Sequence, residues 1–156
     1  MNREKYEIKA SSSFLRYEFD SIGKYGIIRK GIAFELINER ENIYNLAFGD
    51  IDQVTKYIND DVISNNGDLP KVMATIIEAI FDFTNHFSDS FVFFKGLDKR
   101  RHYFYNRIIF DYYSIFSLSF NIFGMILDEN EKISLKQSEI YRKDKEYDGF
   151  LIRRID

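Results

Sequence analysis

The hydrophobic pattern of this sequence changes its period along the chain, and this change limits the folds it can adopt. In residues 13–20 apolar and polar side chains alternate, with Leu15, Tyr17 and Phe19 on one side. A period of two is typical of a strand with one buried face. In residues 72–87 the apolar residues instead recur every three or four positions, which is typical of an amphipathic helix. A chain with both periods is expected to combine a sheet with helices.

The first half of the sequence predicts a three-stranded meander followed by a helix. Residues 22–26 contain two glycines and predict a turn, and residues 27–37 and 44–48 alternate again. Short connections between three such strands favour antiparallel pairing. A further short strand is expected at residues 61–64. A turn then precedes the helix, which Asp68 can cap and in whose first turn Pro70 is tolerated.

The second half predicts a strand, a helix and two more strands. Residues 91–94 are a short apolar run, typical of a strand buried on both faces. Asp98 can cap a second helix, and period-two strands are expected at residues 118–126 and 150–155. The predicted order is β-β-β-β-α-β-α-β-β. It indicates an α+β fold with a mixed, mostly antiparallel sheet of about six or seven strands and two main helices. The first helix is long enough to connect two parallel neighbouring strands.

Length and composition exclude several classes of protein. The 156 residues predict one α+β domain over residues 1–156, with a charged excursion at residues 128–146. Cysteine is absent and only His86 and His102 are histidines, so we expect no thiolate chemistry and no metal site. The sequence has no apolar segment of the kind a signal peptide or membrane span needs, which predicts a soluble, cytoplasmic protein without a membrane partner. The net charge of −3 argues against nucleic acid as a partner.

Most of the chain resembles a known family. The stretches that carry the likeness are residues 5–9, 14–23, 44–50, 64–68 and 147–154. They resemble a family of small bacterial proteins of unknown function. This resemblance implies a one-domain bacterial protein and brings no activity with it.

The order of elements is similar to that in the C-terminal part of the GCN5-related N-acetyltransferases. In those enzymes, backbone N–H groups at a helix N-terminus bind the pyrophosphate of coenzyme A. The resemblance implies that Asn65, Asn66 and Gly67 would hold acetyl-CoA here, and that Tyr105 would protonate the leaving thiolate. The sequence departs from the family pattern at Ile109, which stands where a glycine is common.

A basic cluster opens the second predicted helix. Lys99, Arg100 and Arg101 precede aromatic residues 103–105. One interpretation is a solvated first helical turn whose aromatic side chains belong to the core. The other is an anion site, because cations in a first helical turn oppose the helix dipole and a bound anion would offset this. His102, one turn after Asp98, is a candidate general base, and the alternative is that it is only a surface residue.

These observations favour a non-catalytic protein-interaction module, either a homo-oligomer or one member of a toxin–antitoxin-like pair. The aromatic content of 17% and the absence of a recognisable catalytic motif support this prediction. The alternative is a degenerate or atypical acyl-CoA-dependent N-acyltransferase-like enzyme that uses Tyr105 and His102. In that alternative the anion or cofactor is bound by Asn65, Asn66, Gly67, Lys99, Arg100 and Arg101.

Overall fold

The computed structural model describes residues 4–59, 64–96 and 98–155. Contacts divide the chain into two compact units, residues 1–35 with 46–86 and residues 36–45 with 87–156. The described strands are β1 (Lys9–Ala10), β2 (Arg16–Gly23), β3 (Gly26–Asn38), β4 (Ile43–Ile51), β5 (Ile58–Asn59), β6 (Phe91–Phe94), β7 (Phe120–Met125), β8 (Ser138–Ile140) and β9 (Gly149–Arg154). They form a sheet with the order β1-β2-β3-β4-β6-β9-β7-β8, and β5 pairs with β4. The helices are α1 (Leu69–His86), α2 (Lys99–Asp111) and α3 (Tyr113–Ser119).

The α+β fold and the mixed, mostly antiparallel sheet are confirmed. Within the described ranges β4 and β6 form a parallel pair, and α1 lies between them in the chain. This is the helical connection that the spacing allowed. The structure has nine strands and three helices in its described residues, more than the six or seven strands and two helices predicted. The single-domain organisation stays a prediction.

The additional elements have identifiable causes. β1 and β8 contain two and three residues, too few for a visible period. The strand predicted from residue 118 begins only at Phe120, because residues 113–119 form α3 with Phe116 fully buried. Leu118 is therefore on the exposed side of a helix rather than in a strand. Of the strand predicted at 61–64, residues 61–63 lie outside the described residues, and Ser64 is not in a strand.

The first unit contains the β2–β3 hairpin and α1. Tyr17 and Phe19 of β2 are buried, as the alternation predicted. Phe34 of β3 stacks on Phe83 of α1 with ring centroids 4.0 Å apart. Aromatic side chains of the strands and of α1 thus form one apolar layer between the β2–β3 hairpin and the helix.

The second unit is built around β6, β9 and β7. Val92, Leu151 and Ile152 have no measurable exposure, in agreement with strands covered on both faces. Part of the charged excursion also has regular structure. A 3₁₀ turn at Leu135–Gln137 is closed by a capping box between Ser134 and Gln137, and β8 follows directly. No helix in the described ranges is both long and apolar enough to cross a membrane.

Candidate functional site

The side chain of Asn66, one of the residues predicted to bind an anion, holds the β2–β3 hairpin. The residue is 1% exposed. Its Nδ2 donates to the backbone oxygen of Gly26 at 3.0 Å and to that of Ser21 at 3.3 Å, and its Oδ1 accepts from the Tyr25 N–H at 2.7 Å. Its own backbone oxygen accepts from the Lys24 N–H at 3.1 Å. The side-chain amide is therefore fully used, as a buried amide must be.

The hairpin fits against Asn66 because glycine occupies position 23. A Cβ built on Gly23 would lie 1.9 Å from the backbone oxygen of Asn66, a distance that no side chain allows. The turn itself is a two-residue connection, Lys24 and Tyr25, between the paired residues Gly23 and Gly26. Gly26 has a φ of +84°, which favours glycine. The predicted turn at residues 22–26 is therefore present and is fixed by Asn66, forty or more positions away.

Asp68 contributes a second set of contacts at the start of α1. Its Oδ2 accepts from the Tyr6 hydroxyl and from the Ser21 Oγ, each at 2.6 Å. Burial, and next the bond to Asp68, raises the pKa of the Tyr6 phenol. Gly67, with φ +82°, donates its N–H to Asn65 Oδ1 at 3.0 Å. The turn before α1 thus contains the Asp68 carboxylate, and the Gly67 N–H is already bonded to Asn65 within the turn.

The turn that Asn66 holds carries three exposed apolar side chains, which we call the hairpin patch: Ile22, Tyr25 and Ile27. They are 62%, 68% and 69% exposed, respectively. Ile22 and Ile27 are directly opposite each other across the two strands, so their side chains lie on one face. Lys24 places its Nζ 5.1 Å from the centre of the Tyr25 ring. The turn was predicted from the sequence but the patch was not, although apolar residues on both sides of a tight turn were its visible signal.

The basic cluster belongs to the second unit. Asp98 caps α2 and accepts from the Arg101 N–H at 2.9 Å and from the Arg101 guanidinium at 3.0 Å. These two bonds lower the pKa of the Asp98 carboxyl. Arg101 is 7% exposed, whereas Lys99 and Arg100 are exposed. Of the three cations, Arg101 is thus a local partner of the capping residue.

The two candidate catalytic residues lie on α2. His102 Nε2 is 3.1 Å from Asn106 Nδ2, one turn further along the helix. Tyr105 is 4% exposed, and its ring packs at 5.4 Å from Phe94 and 5.5 Å from Phe104. The surroundings of Tyr105 are those of a core residue. A catalytic role for either residue, and acetyl-CoA as a cofactor, stay predictions.

Lys30 of β3 and Asp50 of β4 form a buried ion pair. Lys30 is 1% exposed and its Nζ bonds Asp50 Oδ1 at 2.6 Å and the backbone oxygen of Ser64 at 3.0 Å. The Ser64 hydroxyl also donates to Asp50. These contacts join β3, β4 and the residue that precedes the Asn66 turn. The described parts of the chain contain no group of three or more side chains arranged to hold a metal ion.

Comparison with known proteins assigns the chain to a family. The model of the family described as "Family of unknown function (DUF6934)" matches residues 2–155, nearly the whole sequence. This protein belongs to that family. No curated protein and no solved structure matches the chain.

Proposed function

We propose that this member of the family is a non-catalytic interaction module that binds another protein through the hairpin patch. The observation that carries the proposal is the exposure of Ile22, Tyr25 and Ile27 on a hairpin whose backbone is held by a buried asparagine. Exposed apolar residues are common singly, but three of them on one tight hairpin with a fixed backbone favour a contact surface.

The fixed backbone favours binding on energetic grounds. Ordering a loop when a partner binds costs conformational entropy, and a hairpin that is already held avoids most of that cost. Tyrosine is also among the residues that contribute most to protein interfaces, because a rigid ring covers a large area. The Asn66 contacts therefore serve the patch directly, since they fix the backbone of the residue that carries the ring.

The charge beside the patch favours a different protein over a second copy. In a two-fold contact with the axis at the Lys24–Tyr25 turn, the two Lys24 side chains would approach each other, and like charges oppose such a contact. A partner with an apolar pocket bordered by acidic side chains would instead accept both Tyr25 and Lys24. Three side chains also supply much less than the about 800 Å² per partner of a standard interface, so the patch forms only the centre of a larger contact.

Site-specific photo-crosslinking in cells tests the proposal. A photoreactive amino acid replaces Tyr25 in one variant and Tyr57 in a second, control variant. Tyr57 is a suitable control because it lies in the same unit and its side chain is 74% exposed, close to the 68% of Tyr25. We expect one discrete protein adduct from position 25 that position 57 does not give. Identical adducts from both positions, or none from position 25, would contradict the proposal. An adduct with twice the mass of the chain would assign the patch to self-association and reject a different protein as partner.

A further inference from the structure

The helix α2 buries one side and exposes the other. Its buried side chains are those of Arg101, Phe104, Tyr105, Ile108 and Ile109. The exposed side, which we call the α2 face, consists of Lys99, Arg100, Tyr103, Arg107 and Phe110. Residues three and four positions apart are neighbours on a helix surface, so these side chains form one stripe. The rings of Tyr103 and Phe110 are both more than half exposed, although phenylalanine is among the residues most often buried.

Tyr103 is held in place by a residue on the next turn of the helix. Arg107 Nη1 donates to the Tyr103 hydroxyl at 3.0 Å, and Nη2 of the same guanidinium donates to Asp111 Oδ2 at 2.8 Å. The charge of Arg107 is therefore already paired, and its role on the α2 face is to hold the ring. A ring that is already held loses less conformational entropy when a partner packs on it.

Three cations along the α2 face have no carboxylate partner among the described residues. Lys99 and Arg100 lie in the first turn of the helix. Lys143 places its Nζ 5.8 Å from the centre of the Phe110 ring and 4.5 Å from that of Tyr113. The carboxylates nearby in the chain are in use, because Asp98 pairs with Arg101, Asp111 with Arg107 and Asp144 with Arg142. The side chains of Lys99, Arg100 and Lys143 thus remain available to an acidic group from outside the described residues.

The unpaired charge of the α2 face is opposite in sign to that of the whole chain. The chain has a net charge of −3, yet the charges that remain unpaired along this stripe are positive. Lys99 and Arg100 also repel each other and oppose the dipole of α2. A carboxylate placed beside them would relieve both effects, so this face is complementary to an acidic partner.

From these contacts we infer that the α2 face binds an acidic segment of a protein. Apolar side chains of the segment pack on Tyr103 and Phe110, and its carboxylates pair with Lys99 and Arg100 at one end and with Lys143 at the other. The stripe is about 16 Å long, which about five residues of an extended segment span. A nucleic acid is the less favoured occupant, because the net negative charge of the chain opposes it. The inference goes beyond the hairpin patch, since the α2 face belongs to the second unit.

Titration of the isotope-labelled full chain with short peptides, followed by nuclear magnetic resonance, tests the inference. The probe is the acetylated peptide Glu-Glu-Leu-Thr-Leu-Glu-Glu. One control peptide carries glutamine in place of every glutamate, and a second carries serine in place of every leucine. We expect the probe to shift the signals of Tyr103 and Phe110, and each control to bind roughly fivefold more weakly. Equal affinities of the three peptides, or no shift at these two residues, would overturn the inference. Tighter binding of an oligothymidylate at the same ionic strength would also overturn it, because the occupant would then be a nucleic acid.

Charge reversal at the start of α2 gives an independent test. Lys99→Glu with Arg100→Glu removes the attraction for the probe and places acidic residues where the helix dipole favours them, so this variant should be no less stable than the wild type. We expect a roughly fivefold or greater loss of probe affinity with no fall in the thermal unfolding temperature. Lys143→Gln, outside the helix, should weaken the probe about twofold. Unchanged affinity in both variants would overturn the inference.

Lys132→Glu with Lys136→Glu is the matched control, because it makes the same charge change at exposed residues of the same unit. The segment between these lysines packs against a cluster that contains Phe93, whereas α2 packs at Phe94, on the other face of β6. The control should bind the probe as the wild type does. An equal loss in the two double variants would mean that only net charge attracts the probe, and it would overturn the inference. If the probe fails while the crosslink from Tyr25 persists, the inference is wrong and the proposed function stands.

Discussion

At the scale of single residues, Asn66 shows how one buried amide can fix a distant turn. The sequence predicted a turn at Asn65–Asn66–Gly67, because these residue types favour turns. It could not predict that the Asn66 side chain bonds residues 21, 25 and 26, since those contacts span forty or more positions. A local pattern identifies the residue that turns the chain, but not the groups that its side chain will meet.

Replacing Asn66 should therefore destabilise the protein much more than replacing its neighbour. In Asn66→Ala the Tyr25 N–H and the Gly26 oxygen lose their partner, which should lower the free energy of unfolding by about 2–3 kcal/mol. In Asn65→Ala only an exposed bond to the Gly67 N–H is lost, so a change of less than about 1 kcal/mol is expected. Urea unfolding of the two variants measures the difference. Equal losses would show that the Asn66 contacts do not hold the hairpin.

The stability of the protein should also fall at alkaline pH through Tyr17. Burial, and next the hydrogen bond to Asp82 Oδ2 at 2.7 Å, raises the pKa of the Tyr17 phenol. Because the folded-state pKa lies above the unfolded one, the contribution of the neutral phenol is complete below about pH 10 and is lost as the pH rises through the folded-state pKa. The free energy of unfolding should fall more steeply above about pH 10 in the wild type than in Tyr17→Phe. Parallel pH profiles in urea unfolding would refute this assignment.

At the scale of elements, periodicity predicted most strands and helices but not where one type changes into another. Phe116 and Phe120 follow Tyr112 at intervals of four, which continues the helical period, while Leu118 and Ile122 also fit a period of two. A short apolar segment can fit both the helical period and the strand period, and only its packing in the folded protein decides between helix and strand. Here Phe116 is fully buried as part of α3, and the strand begins at Phe120.

The pairing of β7 depends on the absence of a side chain at Gly124. The ring of Tyr147 covers this residue, and a Cβ on Gly124 would lie 2.4 Å from ring atoms. Gly124→Ala should move the ring, break its bond to Glu139 Oε2 and cost about 1–3 kcal/mol. Asn121→Ala, at an exposed position of the same strand, should change stability by less than about 0.5 kcal/mol. Thermal unfolding compares the two variants, and a neutral Gly124→Ala would mean that Tyr147 does not pack on β7.

At the scale of the whole molecule, the sequence predicted the fold class and the family resemblance but not the surface that we propose for binding. Fold class follows from periods that local residues determine, and the family resemblance extends over nearly the whole chain. The sequence shows that Ile22 and Ile27 flank a tight turn, but it does not show that they are exposed, because apolar residues on strands are usually buried.

The measurement that tests the account most directly is the yield of the Tyr25 crosslink after the apolar patch is removed. Ile22→Ser with Ile27→Ser should reduce the adduct at least tenfold while urea unfolding changes by less than about 1 kcal/mol, because both side chains are exposed. Val54→Ser, which removes an apolar side chain that is 90% exposed elsewhere in the same unit, should leave the adduct unchanged. An undiminished adduct in the double variant would contradict the claim that this hairpin binds the partner.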